Sequence, residues 1–254
     1  MKNLIQKILK KFNIGVTRYG TLEAWKCYEN DIEKIRSLSS SDLFRLAEVK
    51  DKSKSQLHQD LFVLLETNFK KNGFFVEFGA TNGVDLSNTN LLEREFNWKG
   101  ILAEPARVWH SDLEKNRECS IERNCVWSDS NSVLDFNEAT EAELSTITKY
   151  NSVDWASTRR KNGVGYKVKT ISLVDLLIKH NAPKVIDYLS IDTEGSEYEI
   201  LSHFDFDSYQ FRVITCEHNF TKMREKIYDL LISKGYKRKY VALSRFDDWY
   251  IKSI

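Results

Sequence analysis

The sequence has few of the features that mark an exported, membrane-spanning or disordered protein. Its 254 residues include 4 cysteines, 2 prolines and 10 glycines. So little proline and glycine argues against a disordered or low-complexity chain. The cysteines show no C-x-x-C spacing and no export signal precedes them, so we expect free thiols in a reducing, cytoplasmic compartment. No apolar run approaches the roughly 20 residues that a membrane-spanning helix needs.

The sequence also lacks an excess of charge of either sign. Lysine and arginine number 38 against 37 acidic residues, which gives a formal net charge of +1. Nucleic-acid-binding domains usually carry a basic excess, so this balance argues against a nucleic-acid partner. What the chain does have is a hydrophobic share of 41%. At this length, that is enough for one large domain plus an extension.

The first 12 residues depart from the even spread of charge. Lysines alternate there with an apolar stripe at helical spacing: Leu4, Ile5, Ile8, Leu9 and Phe12. This pattern predicts a basic amphipathic helix over residues 1–12, within an N-terminal helical extension over residues 1–50. Such a helix can make peripheral contact with the anionic inner face of a membrane. It can equally pack on its own domain or on a second subunit, as in a dimer, and the sequence leaves these alternatives open.

From residue 51 to 254 the pattern changes to strands that alternate with helices, which predicts a doubly wound, mostly parallel α/β sheet. The predicted parallel strands cover residues 74–78, 100–104, 120–127, 185–191 and 211–216. Two further strands, residues 236–242 and 249–254, are joined by a connection too short for a crossover, so they must be antiparallel neighbours. The predicted fold class is therefore α/β, with a seven-stranded sheet and an antiparallel C-terminal pair.

Polar residues follow four of the predicted parallel strands. They are the glycine loop from Glu77 to Gly83, then Glu104, Asp192 and the pair Glu217 and His218. Because open α/β sheets bind ligands outside the carboxyl ends of their strands, these groups should rim one crevice. Gly79 and Gly83 would let the backbone approach a ligand closely. Glu104 can accept both hydroxyls of a ribose, although it could instead be a charge that stabilises the next helix.

The segment of residues 145–166 is polar, basic and flanked by aromatic residues. It is either a lid over the substrate or a solvated loop, because loops on such a scaffold often carry binding residues. Arg159 and Tyr166 within it are candidate substrate-binding residues, and Glu194, after the fourth predicted strand, is a third. The nearby aromatic rings suit a sugar that stacks on them.

Five segments in order resemble motifs of the FkbM-type methyltransferases. They are residues 55–60, residues 75–83 with Ser87, Asn88 and Thr89, residues 98–105, residues 189–197 and residues 217–219. The resemblance covers about residues 55 to 254. It implies a Rossmann-like class I methyltransferase fold with S-adenosylmethionine as cofactor. Two positions depart from the family pattern: Asn82 replaces the usual aspartate before the second loop glycine, and His58 replaces a common glycine.

The resemblance implies cofactor-binding roles for nine residues. They are Gln59, Glu77, Gly79, Asn82, Gly83, Ser87, Glu104, Trp127 and Ser128. In this set Glu104 would hold the ribose, while Trp127 and Ser128 would lie near the adenine. Trp127 could equally be a core aromatic residue, and Ser87 is also suited to capping a helix.

Methyl transfer to a hydroxyl requires alignment of the reacting atoms and removal of the hydroxyl proton. Asp192 and His218 are the candidate bases, and Glu217 is the third residue that we place in the catalytic set. His218 would titrate near neutral pH. Alternatively, Asp192 and Glu217 could hold Mg²⁺ that polarises the acceptor hydroxyl. The sequence does not decide between base and metal.

The predicted function is S-adenosylmethionine-dependent O-methylation of a small-molecule or glycan acceptor. The acceptor is expected to be a sugar in bacterial polysaccharide or natural-product biosynthesis, on the resemblance alone. One alternative is an NAD-dependent sugar oxidoreductase, against which the missing G-x-G-x-x-G counts. Another is a non-catalytic interaction module of a glycan-assembly complex.

Overall fold

A computed structural model describes residues 19–253, which form eight α-helices and eleven β-strands. The helices are α1 (Tyr19–Arg36), α2 (Ser40–Val49), α3 (Gln59–Glu66), α4 (Asn90–Phe96), α5 (His110–Asn116), α6 (Leu173–Lys179), α7 (Glu197–Ser202) and α8 (Met223–Ser233). The strands are β1 (Phe74–Phe78), β2 (Lys99–Ala103), β3 (Ser120–Glu122), β4 (Cys125–Trp127), β5 (Val133–Glu138), β6 (Thr146–Ile147), β7 (Val164–Ser172), β8 (Val185–Ile191), β9 (Gln210–Glu217), β10 (Lys237–Lys239) and β11 (Asp247–Ile251). The predicted amphipathic helix over residues 1–12 lies outside the described residues.

The main sheet has seven strands in the order β10-β11-β9-β8-β1-β2-β3. Its strands from β9 to β3 are parallel to one another, whereas β11 is antiparallel to both β9 and β10. This topology confirms the predicted Rossmann-like α/β class and its antiparallel C-terminal pair. Within that pair β10 is the edge strand and β11 lies inside. β10 is shorter than predicted because Tyr240 adopts a left-handed φ of 52°, which ends the strand.

Helices cover both faces of the main sheet. Successive residues of a strand point to opposite faces, and two separate hydrophobic clusters follow from that alternation. Val76 and Leu189 enter the first cluster, while their neighbours Phe75 and Tyr188 enter the second. The central strand β8 is buried along all but its first residue, as expected for a parallel strand between two helical layers.

A second sheet, in the order β4-β7-β5-β6, corrects the prediction for residues 120–127. These residues form two strands instead of one: β3 joins the main sheet and β4 joins the second. The chain turns between them where Glu122 accepts a hydrogen bond from the backbone N–H of Asn124 at 3.0 Å. Strands β5, β6 and β7 had no counterpart in the sequence prediction.

The N-terminal helices pack against the α/β domain. The carboxylate of Asp31, in the middle of α1, is 1% exposed and accepts hydrogen bonds from the backbone N–H groups of Ala242 and Leu243 at 2.8 and 3.3 Å. Leu46 and Val49 of α2 contact the second hydrophobic cluster. The boundary at residue 51 stays a prediction. No helix between residues 19 and 253 is long and apolar enough to cross a membrane.

Replacing Asp31 by alanine should lower the free energy of unfolding by about 1–3 kcal/mol, because the two hydrogen bonds from the partly buried N–H groups of Ala242 and Leu243 to a carboxylate are lost. Urea denaturation followed by circular dichroism measures the change. Asp51→Ala is the matched control, since the Asp51 side chain is 86% exposed and its loss should change stability by about 0.5 kcal/mol or less. Equal effects of the two substitutions would contradict the docking of α1 through Asp31.

Candidate active site

A cavity of about 350 Å³ opens at the carboxyl ends of β1, β2, β8 and β9. Eight residues predicted from the sequence line it: Gln59, Glu77, Gly79, Glu104, Arg159, Asp192, Glu194 and Glu217. The predicted crevice at this edge of the sheet is therefore present. Its apolar wall includes Ala103, Cys125, Val126 and Phe136, from the two sheets together.

Gly79 allows β1 and β8 to approach each other at the floor of the cavity. Its φ is +73°, and a Cβ atom there would lie 2.0 Å from the backbone oxygen of Asp192. Neither the conformation nor the space is compatible with a side chain. Because position 79 has no side chain, the backbone of Asp192 can lie directly beside the glycine loop.

The carboxylate of Glu77 organises the chain that follows the glycine loop. It accepts hydrogen bonds from the hydroxyls of Ser87 and Thr89 at 3.0 and 2.5 Å and from the backbone N–H of Asn88 at 2.6 Å. The guanidinium of Arg117 lies 3.8 Å away. Burial raises the pKa of Glu77, while Arg117 and these hydrogen bonds lower it. Glu77 thus lines the cavity but uses much of its hydrogen-bonding capacity on the protein itself.

Asn88 has a free acceptor at the cavity. Its Nδ2 donates to the hydroxyl of Ser190 at 2.9 Å, and its Oδ1 is buried without a hydrogen-bond partner among the described residues. Asn88 lines the cavity and is 8% exposed. Because a buried polar atom is normally paired, this oxygen suits a ligand that donates a hydrogen bond, such as an ammonium group.

Glu104 is held at the end of β2 by two backbone donors. Its Oε1 accepts from the N–H of Ala106 at 2.8 Å and its Oε2 from the N–H of Thr81 at 2.9 Å. Burial raises its pKa to about 7, against these two hydrogen bonds, and Asp192 adds to the increase. A carboxylate has about four lone-pair sites, so both oxygens can still accept a ligand hydroxyl.

Three carboxyl groups converge where β8 and β9 end. Oxygen atoms of Asp192, Glu194 and Glu217 lie within 4.8 Å of one another. Burial, followed by repulsion from Asp192, raises the pKa of Glu217 well above its usual value. Burial also raises the pKa of Asp192 to about 6, against a hydrogen bond from Glu217. Burial and repulsion therefore favour a proton on this pair, which the hydrogen bond between Glu217 and Asp192 shares.

Arg160 holds the third carboxyl group, and sequence reasoning missed it. Its side chain is fully buried and donates to Glu194 at 2.6 Å, to both oxygens of Asp154 at 2.8 and 3.0 Å, and to the backbone oxygen of Leu144. The sequence pointed to its neighbour Arg159, which is exposed and paired with Glu141. Nothing in the sequence distinguishes the two arginines, because a loop has no hydrophobic periodicity that would show which of its charged residues is buried.

Several predicted cofactor residues serve the loop instead of lining the cavity. Asn82 accepts hydrogen bonds from the N–H groups of Val84 and Asp85, which closes a turn. Gly83 has a φ of +77° and packs against Arg117. Ser87 donates to Glu77 and accepts from the N–H of Asn90, so it caps α4. None of these three residues is among those that line the cavity, and their contact with a cofactor stays a prediction.

The predicted adenine and substrate residues of the second sheet also lie away from the cavity. Trp127 belongs to a hydrophobic cluster between the sheets, which favours the core interpretation. Ser128, the next residue, is not among the residues that line the cavity. Tyr166 donates to Glu138 at 2.7 Å and stacks under the guanidinium of Arg107. The cavity wall near β4 is formed instead by Cys125 and Val126.

His218, predicted as a candidate base, is not among the residues that line the cavity, and its role stays a prediction. It is 4% exposed, and its Nδ1 accepts the backbone N–H of Phe220 at 3.0 Å. Its Nε2 lies 3.8 Å from Asp248 on β11. Burial lowers its pKa to about 4. Consecutive residues at a strand end point to opposite sides, so Glu217 faces the cavity and His218 does not.

The predicted lid, residues 145–166, is ordered as short elements that contact the cavity. It contains β6, the 3₁₀ turns Thr148–Tyr150 and Trp155–Thr158, and the start of β7. Thr146 donates to the backbone oxygen of Glu194 at 3.0 Å. Trp155, one of the aromatic rings of this segment that the sequence suggested for a sugar, lines the cavity. Among residues that the sequence did not assign to the site, Asn219, Phe220 and Phe246 also line it. Asn219 belongs to the predicted motif of residues 217–219 and Phe220 adjoins it, which is the signal that could have found them.

Comparisons with known proteins give one family match. The family model described as methyltransferase FkbM domain matches residues 77–238. Similar solved structures include a precorrin-6y C5,15-methyltransferase from Geobacter metallireducens GS-15, at 11% identity over 71% of each chain with a TM-score of 0.40. A fibrillarin/Nop5p complex gives 12% identity over 72% of this chain and 73% of the other, with a TM-score of 0.34.

A human methyltransferase 10 domain containing protein gives 11% identity over 76% of this chain and 80% of the other, with a TM-score of 0.36. The curated proteins provide no match.

Replacing Arg160 by methionine should lower the free energy of unfolding by about 3–5 kcal/mol, because the carboxylates of Asp154 and Glu194 remain buried without their cation. Urea denaturation at pH 7 measures the loss. Arg159→Met is the control: its side chain is 44% exposed, so its ion pair contributes only about 0–1 kcal/mol. A change at Arg160 no larger than that at Arg159 would show that the buried ion pairs are not needed.

Proposed function

Because the chain belongs to the FkbM methyltransferase family, we propose that it transfers the methyl group of S-adenosylmethionine to a hydroxyl of a saccharide. The family match covers residues 77–238, which include Glu77, Glu104 and the three converging carboxyl groups. It supports methyl transfer over the NAD-dependent and the non-catalytic alternatives. Three points are proposed beyond the family match: that the methyl group is transferred to oxygen, that S-adenosylmethionine is the cofactor, and that the acceptor is a sugar.

The observation that carries the proposal is that one cavity holds the groups suited to both reactants. Glu104 has lone pairs for the hydroxyls of a ribose, and the unpartnered Oδ1 of Asn88 suits the ammonium of a methionine moiety. The apolar wall of Cys125, Val126 and Phe136 suits a purine ring. The residues present therefore fit S-adenosylmethionine, which supplies a methyl group on a positively charged sulfur when it is bound.

Asp192 is the proposed general base. It lines the cavity and accepts a hydrogen bond from Glu217, so the protonated Glu217 orients it. Asp192 would take the proton of the acceptor hydroxyl while that oxygen bonds to the methyl carbon; the carbon–sulfur bond would break, with its electron pair staying on the sulfur of the departing S-adenosylhomocysteine. A positioned base of this kind typically contributes about 10²–10⁴-fold to the rate. His218 has no part in this step, because it lies outside the cavity.

A magnesium-assisted version of the same reaction is the second candidate. The closeness of Asp192, Glu194 and Glu217 favours it, since carboxylate oxygens are the ligands that Mg²⁺ prefers. In that version Asp192 and Glu217 would hold the ion, as the sequence suggested, and Glu194 would join them. The ion would polarise the acceptor hydroxyl in place of a base.

Glu104→Gln should weaken binding of S-adenosylhomocysteine by about 10–100-fold, because hydrogen bonds to a charged group contribute about 1.5–3 kcal/mol. Isothermal titration calorimetry on the full chain measures the Kd. Glu122→Gln is the matched control, a buried carboxyl group at the end of the neighbouring strand β3 that does not line the cavity. Failure of the wild-type protein to bind S-adenosylhomocysteine would refute the proposed function.

Asp192→Asn should lower kcat by about 10²–10⁴-fold, because the amide cannot accept the proton. Transfer from labelled S-adenosylmethionine to a panel of methyl glycosides, with mass spectrometry of the product, gives the rate. Wild-type activity should persist in EDTA if Asp192 acts as a base. Loss of activity in EDTA with recovery on adding Mg²⁺ would favour the magnesium-assisted version instead.

A further inference from the structure

Two aromatic side chains stand exposed at the mouth of the cavity. Trp155 is 59% exposed and Phe220 is 70% exposed, and both line the cavity. They come from different parts of the chain, a 3₁₀ turn of the predicted lid and the loop after β9. An aromatic residue can bury 150–250 Å², so two of them left open beside a cavity indicate a surface that a ligand covers.

Hydrogen bonds connect this aromatic rim, Trp155 and Phe220, to the carboxyl groups inside. The indole Nε1 of Trp155 donates to Oδ1 of Asn219 at 3.3 Å, and Nδ2 of Asn219 donates to Glu194 at 3.3 Å. The path from the aromatic rim to Asp192 is therefore lined by both aromatic rings and hydrogen-bonding groups. A purely apolar ligand would cover the amide and the carboxylates without offering their remaining donor and acceptor sites a hydrogen bond.

The backbone that presents Phe220 is strained. Asn219 and Phe220 have left-handed φ values of 43° and 55°, which a bulky residue rarely adopts. Nδ1 of His218 accepts the N–H of Phe220 at 3.0 Å, and the backbone oxygen of Phe246 accepts the N–H groups of His218 and Asn219. Such strain persists only where neighbouring contacts enforce it. His218 supplies one of these contacts from outside the cavity.

We propose that Trp155 and Phe220 form the acceptor subsite for a pyranose ring, and that His218 is a positioning residue that holds Phe220 in place. A pyranose offers a C–H face that packs on aromatic rings and hydroxyls that bond to Asn219 and the carboxylates. This inference rests on the proposed function and deepens it, since it assigns the acceptor class to particular side chains.

The test uses the full chain saturated with S-adenosylhomocysteine and a panel of methyl hexosides and methyl 6-deoxyhexosides. Saturation-transfer NMR detects the bound glycosides, and transfer from labelled S-adenosylmethionine gives KM and kcat. Trp155→Ala and Phe220→Ala should each raise the acceptor KM at least about tenfold, while the Kd of S-adenosylhomocysteine stays within about twofold. The controls are Trp25→Ala and Phe44→Ala, which remove aromatic side chains 61% and 66% exposed on α1 and α2 and should change neither value.

The role of His218 is tested by two substitutions that differ in one acceptor atom. His218→Ala removes the acceptor of the Phe220 N–H and should raise KM as Phe220→Ala does. His218→Asn supplies an amide oxygen near the position of Nδ1 and should restore most of the affinity. A fall in kcat at unchanged KM for His218→Ala would overturn the positioning role.

The outcomes separate this inference from the proposed function. If S-adenosylhomocysteine binds but neither rim substitution changes the acceptor KM, the subsite is wrong and the methyltransferase assignment stands. Wild-type protein that shows no saturation transfer to any glycoside, or that methylates cyclohexanol in preference to them, would also overturn the saccharide subsite. Absence of S-adenosylhomocysteine binding would instead refute the proposed function itself.

Discussion

The buried ion pair of Arg160 with Glu194 joins the two sheets of this protein at the cavity. Glu194 follows β8 of the main sheet, whereas Arg160 belongs to the chain between β6 and β7 of the second sheet. Their contact measures 2.6 Å, and the two side chains are 0% and 9% exposed. Because a buried charge without its partner is strongly unfavourable, the two sheets are restrained to one relative position. The carboxyl groups, the apolar wall and the aromatic rim all depend on that restraint.

The three converging carboxyl groups explain why this restraint is required. Burial, followed by repulsion from nearby carboxyl groups, raises their pKa values, so the cluster is unfavourable unless a cation or a shared proton compensates it. Arg160 compensates Glu194, and the hydrogen bond from Glu217 compensates Asp192. An arrangement that is electrostatically unfavourable by itself is typical of a site where function, not stability, selects the residues.

The sequence predicted the main sheet well because that part of the fold depends on local patterns. Strands such as β8 are continuous apolar runs, and the polar or glycine residue after each run marks the end of a strand. These strand ends identified Gly79, Glu104, Asp192 and Glu217 in the sequence. The second sheet was missed because its strands β5 and β7 are only partly buried and lie between polar loops. Arg160 and Phe220 were missed because long-range packing, not spacing, decides that one is buried and the other exposed. His218 is not among the lining residues because consecutive residues of a strand point to opposite sides, so its neighbour Glu217 faces the cavity instead.

The short turn between β3 and β4 has a consequence for how this protein can diverge. Only Arg123 and Asn124 separate β3, which pairs with β2 in the main sheet, from β4, the first strand of the second sheet. Under the proposed function, the main sheet supplies Glu104 for the ribose of the donor, the second sheet supplies Cys125, Val126 and Phe136 for its purine ring, and residues 145–166 supply Trp155 of the acceptor rim. Changes within residues 145–166 can then alter which molecule is modified while the glycine loop stays intact. With the sites divided in this way, selection can change the acceptor that is modified without changing the glycine loop that lies beside the donor.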